Sequence, residues 1–469
     1  MKQNYGFVAL SLSLSLASTF AGAQELELSD NFVFGKSEAE ISAFYKEHLG
    51  AFEVSSTEYG SAMVEAQFDA EVRADVLSYD PVLTTLAAGL ESRNYDRGVW
   101  QETWVDAAEA GLSDPYYQKN VRFYQKLTND GTKRPLVIFL GSSFSTWKRG
   151  TWLNKTVALV EKTAFEPVNF IAMPGFLTPE VLSFAPRRVD ITGELMARDL
   201  LPRLRRLVAR INQESARIDT TKIYLVGASG GASLALEIAA VDGTLDEPLI
   251  SKVIAFNPVL DLKTTNSVLD AAKREAFSAG VQDGLTTPKS LVVGLFDPPS
   301  DASLVRMLGA RDSSFAGKRQ KITRMFYNEF TVVDLKTAAD STQSADFRWG
   351  QRSDGASGDN YADFYEIYAM DQTKRLGANR AGYDFEHISQ VIPRWRNILA
   401  QTTIVFPEDD PVLSRLPSER DAPERILTRF EQIRYGIPRV KLFTPKRGAH
   451  MGYFLDTAWL EGVFTDLTQ

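Results

Sequence analysis

Residues 221–240 constrain the fold more than any other part of the chain, because an apolar run stops at a glycine-rich turn and resumes with helical spacing. Before the turn, residues 223–226 are apolar without polar alternation, which is typical of a strand buried on both faces of a parallel sheet. After it, leucines and an isoleucine among alanines favour a helix packed on that sheet. We therefore predict a strand, a sharp turn and a helix in direct succession.

The turn itself, Gly-Ala-Ser-Gly-Gly at 227–231, matches the pattern G-x-S-x-G. Its glycines remove Cβ atoms where the backbone reverses, which leaves Ser229 strained and exposed above the sheet. The amide of Gly230 and the positive end of the helix dipole point at the same place, where they can stabilise an oxyanion. The same residues also fit a plain strand-to-helix turn in which Ser229 only caps the helix.

The amino terminus has the pattern of a secretory signal peptide. Lys2 precedes an apolar region at 7–20, which is shorter than a membrane span, and Ala21-Gly22-Ala23 fits a cleavage site. We predict removal of residues 1–23 and a secreted or periplasmic protein without a stable membrane span; a retained anchor is the alternative. Loss of Lys2 changes the formal charge from −8 to −9 (−8 minus one positive charge), which disfavours a nucleic-acid partner. The absence of cysteine excludes disulfides and thiolate chemistry.

Alternating strand and helix patterns predict the class α/β, a doubly wound and mostly parallel sheet. We divide the chain into the signal peptide 1–23, an N-terminal extension 24–120, a core formed by 121–262 and 401–469, and an inserted cap or lid at 263–400. Long insertions are usually functional. Both ends of this one are expected at the carboxyl edge of the sheet, so that it roofs Ser229.

Two local patterns predict structure rather than chemistry. Strands at 121–125 and 135–140 flank Asn129-Asp130-Gly131, which favours a hairpin. The segment 194–211 predicts an amphipathic helix whose arginine row is a solvated face. The arginines of this row are Arg198, Arg203, Arg205, Arg206 and Arg210.

A serine nucleophile needs a histidine base, and that histidine needs a carboxylate to hold its tautomer. The chain has three histidines: His48 precedes the serine, His387 lies in the insertion, and His450 lies on a turn after the last predicted strand. The order serine, acid, histidine therefore favours His450 as the base, although a turn histidine without catalytic work is the plain alternative.

Acid candidates also follow predicted strands, at the edge where ligands bind in such sheets. Asp409 and Asp410 follow one strand, and Asp261 follows the strand before it. The segment 408–410 also fits a solvated acidic loop or a weak calcium site. Residues 141–143 follow the strand 135–140, where the amide of Ser143 can complete an oxyanion hole or belong to a simple loop.

From about residue 121 to its end the chain resembles the α/β hydrolases, and its carboxyl-terminal half is similar to YheT-like esterases. The shared motifs are Asp-Asp-Pro at 409–411, Gly-x-His-x-Gly-aromatic at 448–453 and Asn-Tyr-Ala-Asp-Phe-Tyr at 360–365. This resemblance implies Ser229 as nucleophile, Asp410 as acid and His450 as base. Gly-Ser-Ser at 141–143 departs from the usual His-Gly opening of the oxyanion loop.

The sequence therefore predicts an exported serine hydrolase that cleaves a small-molecule or lipid-like carboxylic ester through an acyl-enzyme. The chemistry requires no cofactor and no metal. A peptidase or amidase on the same fold and a non-catalytic binding protein are the alternatives. No pattern in the chain indicates an oligomeric state.

Overall fold

The computed structural model describes the residues that form the sheet and the helices packed on it. These are residues 24–26, 85, 88, 95, 98–142, 151–175, 193–259, 265–271, 392–412 and 440–468, with gaps at 114–116, 129, 216, 260–264, 268, 408–409, 444–447 and 456. The predicted signal peptide, most of the extension and most of the predicted cap lie outside the described residues.

A nine-stranded sheet has the order β1-β9-β8-β7-β6-β4-β5-β3-β2. The strands are β1 Gln24–Leu26, β2 Gln101–Asp106, β3 Asn120–Lys126, β4 Arg134–Leu140, β5 Asn169–Met173, β6 Ile218–Ala228, β7 Lys252–Phe256, β8 Gln401–Val405 and β9 Val440–Phe443. Among these strands, only β3 runs antiparallel to its neighbours β2 and β5. The predicted strand 223–226 is the buried end of β6, at the centre of the sheet.

Helices cover both faces of the sheet. They are α1 Thr151–Thr163, α2 Glu194–Ser215, α3 Gly230–Asp242, α4 Ile392–Trp395 and α5 Thr457–Thr468. Apolar side chains of α2 and α3 form a core on one face, which includes Leu225 of β6. Those of α1 and α5 form a second core on the other face, which includes Tyr224 and Val226 of the same strand. Because successive strand residues point to opposite faces, β6 is apolar throughout this stretch.

The predicted fold class is confirmed. The exchanged order of β4 and β5, the single antiparallel strand β3 and the sharp turn between β6 and α3 are features of the α/β-hydrolase fold. No helix in the described part of the chain combines the length and the hydropathy of a membrane-spanning segment.

The predicted hairpin is wrong, although both of its strands are present. β4 pairs with β5 and β6, whereas β3 pairs with β2 and β5. The side chain of Asn169 on β5 accepts a hydrogen bond from the Thr128 amide and donates one to the Arg217 carbonyl, each at 2.9 Å. The turn pattern is local and cannot report a later strand that inserts between the two. The sheet also begins before residue 121, since β2 lies in the segment assigned to the extension.

The arginine row of α2 is a solvated face only in part, most of all at Arg198, whose side chain is 49% exposed. Arg203 is fully buried, and it donates to Asp199 at 2.8 Å, to the Val105 carbonyl at 2.7 Å and to the Gln118 carbonyl. Arg206 bonds Glu109 at 3.0 Å. The turn after β2 covers this side of the helix, so the charges that favour solvent in the sequence bind neighbouring backbone and carboxylates instead.

The two ends of the insertion lie at opposite edges of the sheet, so the expectation of a common carboxyl edge is wrong. β7 and β8 are parallel, and a parallel connection must leave at the carboxyl end of one strand and return at the amino end of the next. On its return, Arg394 donates to Glu237 of α3 at 2.7 Å, and Trp395 donates to the same carboxylate at 3.1 Å.

Candidate active site

Ser229 lies between β6 and α3 in a strained conformation, with φ 52° and ψ −124°. A positive φ in a residue other than glycine costs energy and marks turns or functional positions. Its backbone amide donates to the Phe256 carbonyl of β7 at 2.7 Å, which anchors the turn to the neighbouring strand. Its hydroxyl makes no capping hydrogen bond to α3 and its side chain is partly exposed. The geometry is therefore that of an elbow that presents a hydroxyl, not that of a serine cap.

Two glycines make this turn sterically possible. A Cβ at Gly227 would overlap the carbonyl group of Gly231, and a Cβ at Gly231 would overlap the carbonyl oxygens of Leu140 and Gly141. The elbow consequently packs directly on the end of β4, where the predicted oxyanion loop begins.

The structure describes one of the two predicted oxyanion donors, Gly230, and not the other, Ser143. Gly230 is the first residue of α3, so its amide belongs to the four that have no acceptor within the helix. Ser143 lies outside the described residues. Gly141, two residues before it, is held by a 3.0 Å hydrogen bond from its amide to the Met173 carbonyl.

Asp410 follows β8 and is fully buried, with both carboxylate oxygens hydrogen-bonded. Oδ1 accepts from the Val412 amide at 2.7 Å, and Oδ2 accepts from His450 at 2.8 Å. A buried carboxylate is stable only when donors replace its hydration, and these donors do so. The competing candidates Asp409 and Asp261 lie outside the described residues.

His450 follows β9 on a turn flanked by two residues in the left-handed region, Ala449 at φ 51° and Met451 at φ 68°. Its Nδ1 lies 2.8 Å from Asp410 Oδ2. A carboxylate can only accept, so the shared proton belongs to Nδ1, and in the neutral ring Nε2 is then the acceptor nitrogen. The side chain is 11% exposed, which keeps the ring within reach of a substrate. His48 and His387 lie outside the described residues.

Three further residues support this pair, two of them by direct contact, and sequence reasoning missed their contribution. Asn257, the first residue after β7, donates from Nδ2 to Asp410 Oδ2 at 2.6 Å. Tyr453 donates its hydroxyl to Asn257 Oδ1. Thr85, from the N-terminal extension, accepts the His450 amide at 3.1 Å. The position of Asn257 at the end of a strand is a signal in the sequence that could have indicated its role. No sequence pattern indicates the contact of Thr85 with His450.

Burial raises the pKa of Tyr453 well above its usual value, and the nearby negative charge of Asp410 raises it further. The phenol therefore keeps its proton across the physiological range and acts as a donor.

Ser229, Asn257, Asp410 and His450 follow β6, β7, β8 and β9, four adjacent parallel strands. Their positions at one sheet edge fit nucleophilic catalysis with a histidine base. Within the described residues, no group of three or more acidic or histidine side chains could hold a metal ion.

No protein-family model and no curated protein matches the chain. Among solved structures, it is similar to 2,6-dihydroxy-pseudo-oxynicotine hydrolase, with 15% identity, a TM-score of 0.38, and coverage of 91% of this chain and 87% of that one. A Pyrococcus furiosus esterase shares 10% identity at a TM-score of 0.38, over 82% of this chain and 94% of that one. A serine hydrolase of Cycloclasticus zankles shares 11% identity at a TM-score of 0.39, over 78% and 97%. These likenesses are too distant to carry an argument about activity, and the fold assignment rests on the strand order and the elbow.

Proposed function

We propose that the protein is an exported serine hydrolase that cleaves carboxylic esters through Ser229, His450 and Asp410. The observation that carries the proposal is the 2.8 Å hydrogen bond between His450 Nδ1 and a buried carboxylate oxygen of Asp410, at the sheet edge where Ser229 occupies an elbow. Such a pair is what a serine hydroxyl needs to become a nucleophile.

In the proposed reaction His450 Nε2 takes the Ser229 proton while the serine oxygen attacks the ester carbonyl. The resulting oxyanion is stabilised by the amides of Gly230 and Ser143, and the imidazolium then protonates the departing alcohol. Water, deprotonated by His450, attacks the acyl carbon; the bond to Ser229 Oγ then breaks, His450 returns the proton to that oxygen, and the acid is released. Asp410 accepts the Nδ1 hydrogen bond throughout and stabilises the imidazolium.

The test is covalent labelling of Ser229 by a fluorophosphonate, together with turnover of 4-nitrophenyl esters of increasing acyl length. We expect wild type to be labelled at Ser229 and Ser229→Ala to lose both labelling and nearly all turnover. Ser233→Ala is the matched control, since Ser233 lies one turn further along α3 and its Oγ accepts the Val259 amide at 2.7 Å. That variant should keep its labelling and its kcat.

The alternatives give different outcomes in the same assay. Labelling with cleavage of peptide anilides but not of esters identifies a peptidase or amidase. If the folded wild-type protein is neither labelled nor active, it is not a serine hydrolase, and the non-catalytic binding protein is the remaining alternative.

Export is the second part of the proposal, and it is supported by the apolar leader and by the Ala-x-Ala site that ends at Ala23. When the full chain is expressed in a bacterium with a signal peptidase, the product should have the mass of a chain that begins at Gln24. Ala23→Arg, which places a large charged residue at the cleavage site, should accumulate the uncleaved chain. A cell-retained product that still begins at Met1 in wild type would contradict export.

A further inference from the structure

Asn257 occupies the carboxyl end of β7 in a conformation that few side chains adopt. It is fully buried, its φ is 52°, and its backbone amide extends the ladder by donating to the Val405 carbonyl at 2.8 Å. Asparagine tolerates the left-handed region better than most residues, but burial of an amide there requires partners for its polar atoms.

The Asn257 side chain connects the acid with the histidine turn. Nδ2 donates to Asp410 Oδ2 at 2.6 Å and to the Ala449 carbonyl at 3.3 Å. Asp410 is 153 residues away and Ala449 is 192 residues away along the chain, so a single amide joins three strand ends.

Tyr453 stabilises the orientation of the Asn257 amide that its two acceptors, Asp410 and the Ala449 carbonyl, require. Its buried hydroxyl donates to Asn257 Oδ1, so a flipped amide would aim its NH₂ group at the phenol and its oxygen at the Asp410 carboxylate. Two acceptors would then face each other in a buried site, which is unfavourable. Asp410 therefore excludes the flipped amide, and the phenol holds the observed one by satisfying the buried Oδ1.

The bonds on Asp410 fix the plane of its carboxylate. Val412 holds Oδ1, and Asn257 holds the same Oδ2 atom that accepts the His450 proton. Rotation of the carboxylate away from His450 would break the Asn257 bond, so the amide opposes that rotation.

We propose that Asn257 and Tyr453 are positioning residues: the phenol stabilises the orientation of the amide, and the amide holds Asp410 Oδ2 against His450 so that the imidazole carries its proton on Nδ1. This inference deepens the proposed function and rests on it for its kinetic consequence. The tautomer of His450 is its direct consequence and can be measured without any substrate.

Two variants test the proposal. Tyr453→Phe removes only the phenol oxygen, and Asn257→Gly removes the amide while it suits the positive φ. Matched controls are Tyr224→Phe, a buried tyrosine of β6, and Asn169→Ala, a fully buried asparagine of β5 whose side chain bonds only backbone groups.

The first readout is the ¹⁵N spectrum of histidine-labelled protein, in which the two neutral tautomers have different ring-nitrogen shifts. The chain has three histidines, so His450→Asn assigns the signal by its disappearance. We expect wild type and both controls to show His450 protonated on Nδ1, and both test variants to show a mixture with the Nε2–H tautomer.

The second readout is ester turnover. We expect kcat/KM to fall about 10-fold in Tyr453→Phe, the loss of one hydrogen bond, and about 10²-fold in Asn257→Gly, with KM nearly unchanged. A purely structural role would lower the stability of test and control variants alike and leave the tautomer and kcat of the folded fraction intact.

The proposal is overturned if His450 keeps its proton on Nδ1 in both Tyr453→Phe and Asn257→Gly. It is also overturned if the two control variants show the same change of tautomer as the test variants. If the wild-type protein turns over no ester, the proposed function fails while the tautomer still decides whether Asn257 and Tyr453 position the pair. The two failures are therefore distinguishable.

Discussion

Backbone strain in the described residues is concentrated at the candidate site. The residues other than glycine with positive φ are Ser229, Asn257, Ala449 and Met451, and each follows a strand at the carboxyl edge or flanks His450. Each such conformation costs on the order of 1–3 kcal/mol and persists only where the surroundings over-determine it. Hydrogen bonds from neighbouring strand ends supply that support here, so strain and site belong to one arrangement.

The role of Asp410 gives the sharpest prediction for a single residue. Asp410→Asn keeps the shape of the side chain but lets His450 adopt the wrong tautomer, so kcat should fall about 10⁴-fold with little change in KM. The control is Asp199→Asn, which removes a buried carboxylate paired with Arg203 on α2, a helix that carries none of the site residues. Kinetics of purified, folded protein check both variants.

The control should lose stability and keep its kcat per folded molecule. A loss of less than tenfold in Asp410→Asn would remove the acid assignment and return it to Asp409 or Asp261.

At the residue scale, the sequence predicts the groups whose type and order are chemically constrained. Ser229 lies in a recognisable turn pattern, and scarcity of histidine isolates His450. Asn257 was not predictable in the same way, because an amide is not a catalytic group and its partners are distant in sequence. Its importance is visible only when the ends of β7, β8 and β9 are adjacent.

At the element scale, the strand–elbow–helix unit depends on contact between α3 and the end of β4. Gly231→Ala should destabilise the protein by about 1–3 kcal/mol, since its Cβ would overlap backbone carbonyls that cannot move like a side chain. Displacement of the adjacent Gly230 amide should also lower kcat by about 10². Urea unfolding and ester kinetics measure the two effects.

Gly462→Ala is the corresponding control, because a Cβ at this position in α5 would meet nothing within 4 Å. It should leave kcat unchanged and stabilise the protein by roughly 0.5–1 kcal/mol through the helix propensity of alanine. Equal kinetics in the two variants would contradict the close packing of elbow and β4.

Elements with a strong local pattern were predictable, and their pairing was not. The buried end of β6 follows from a short apolar run. The β3–β4 hairpin fails because β5 inserts between the two strands, and nothing near residues 129–131 encodes an event 40 residues later. Solvation of the arginine row fails at Arg203 for the same reason, since its side chain bonds backbone carbonyls of β2 and of the segment that follows it.

For the whole molecule, α2 adds a second connection between the outer strands and the central sheet, beside the pairing of β3 with β5. Arg203 reaches the carbonyl of Val105 in β2, and Arg210 bonds Thr103 of the same strand at 2.8 Å. Net charge contributes little to such an attachment, because each arginine has a specific partner. Strand β2 is thus joined to α2, and its Val105 belongs to the core on that face of the sheet.

This attachment predicts a large difference between two arginines of one helix. Arg203→Met leaves Asp199 buried without its cation and should cost about 3–5 kcal/mol of unfolding free energy. Arg206→Met is the control, because its pair with Glu109 is partly exposed, at 39% and 26% of the side chains, and should cost less than about 1 kcal/mol. Urea unfolding at neutral pH compares them.

The loss of unfolding free energy in Arg203→Met should also depend on pH. The titration of Asp199 determines whether that loss grows or shrinks as the pH rises. Burial raises the pKa of Asp199, and Arg203 opposes that rise. Removal of the arginine raises the folded-state pKa further, whereas the unfolded value stays near about 3.9. A raised carboxyl pKa means that the folded state holds the Asp199 proton more tightly than the unfolded state does. The stability that Arg203→Met lacks relative to wild type is therefore smallest below the unfolded-state pKa, and it grows as the pH rises through the folded-state pKa. A loss of unfolding free energy that does not change with pH would show that Arg203 stabilises the fold through its hydrogen bonds to the Val105 and Gln118 carbonyls, and not through its charge beside Asp199.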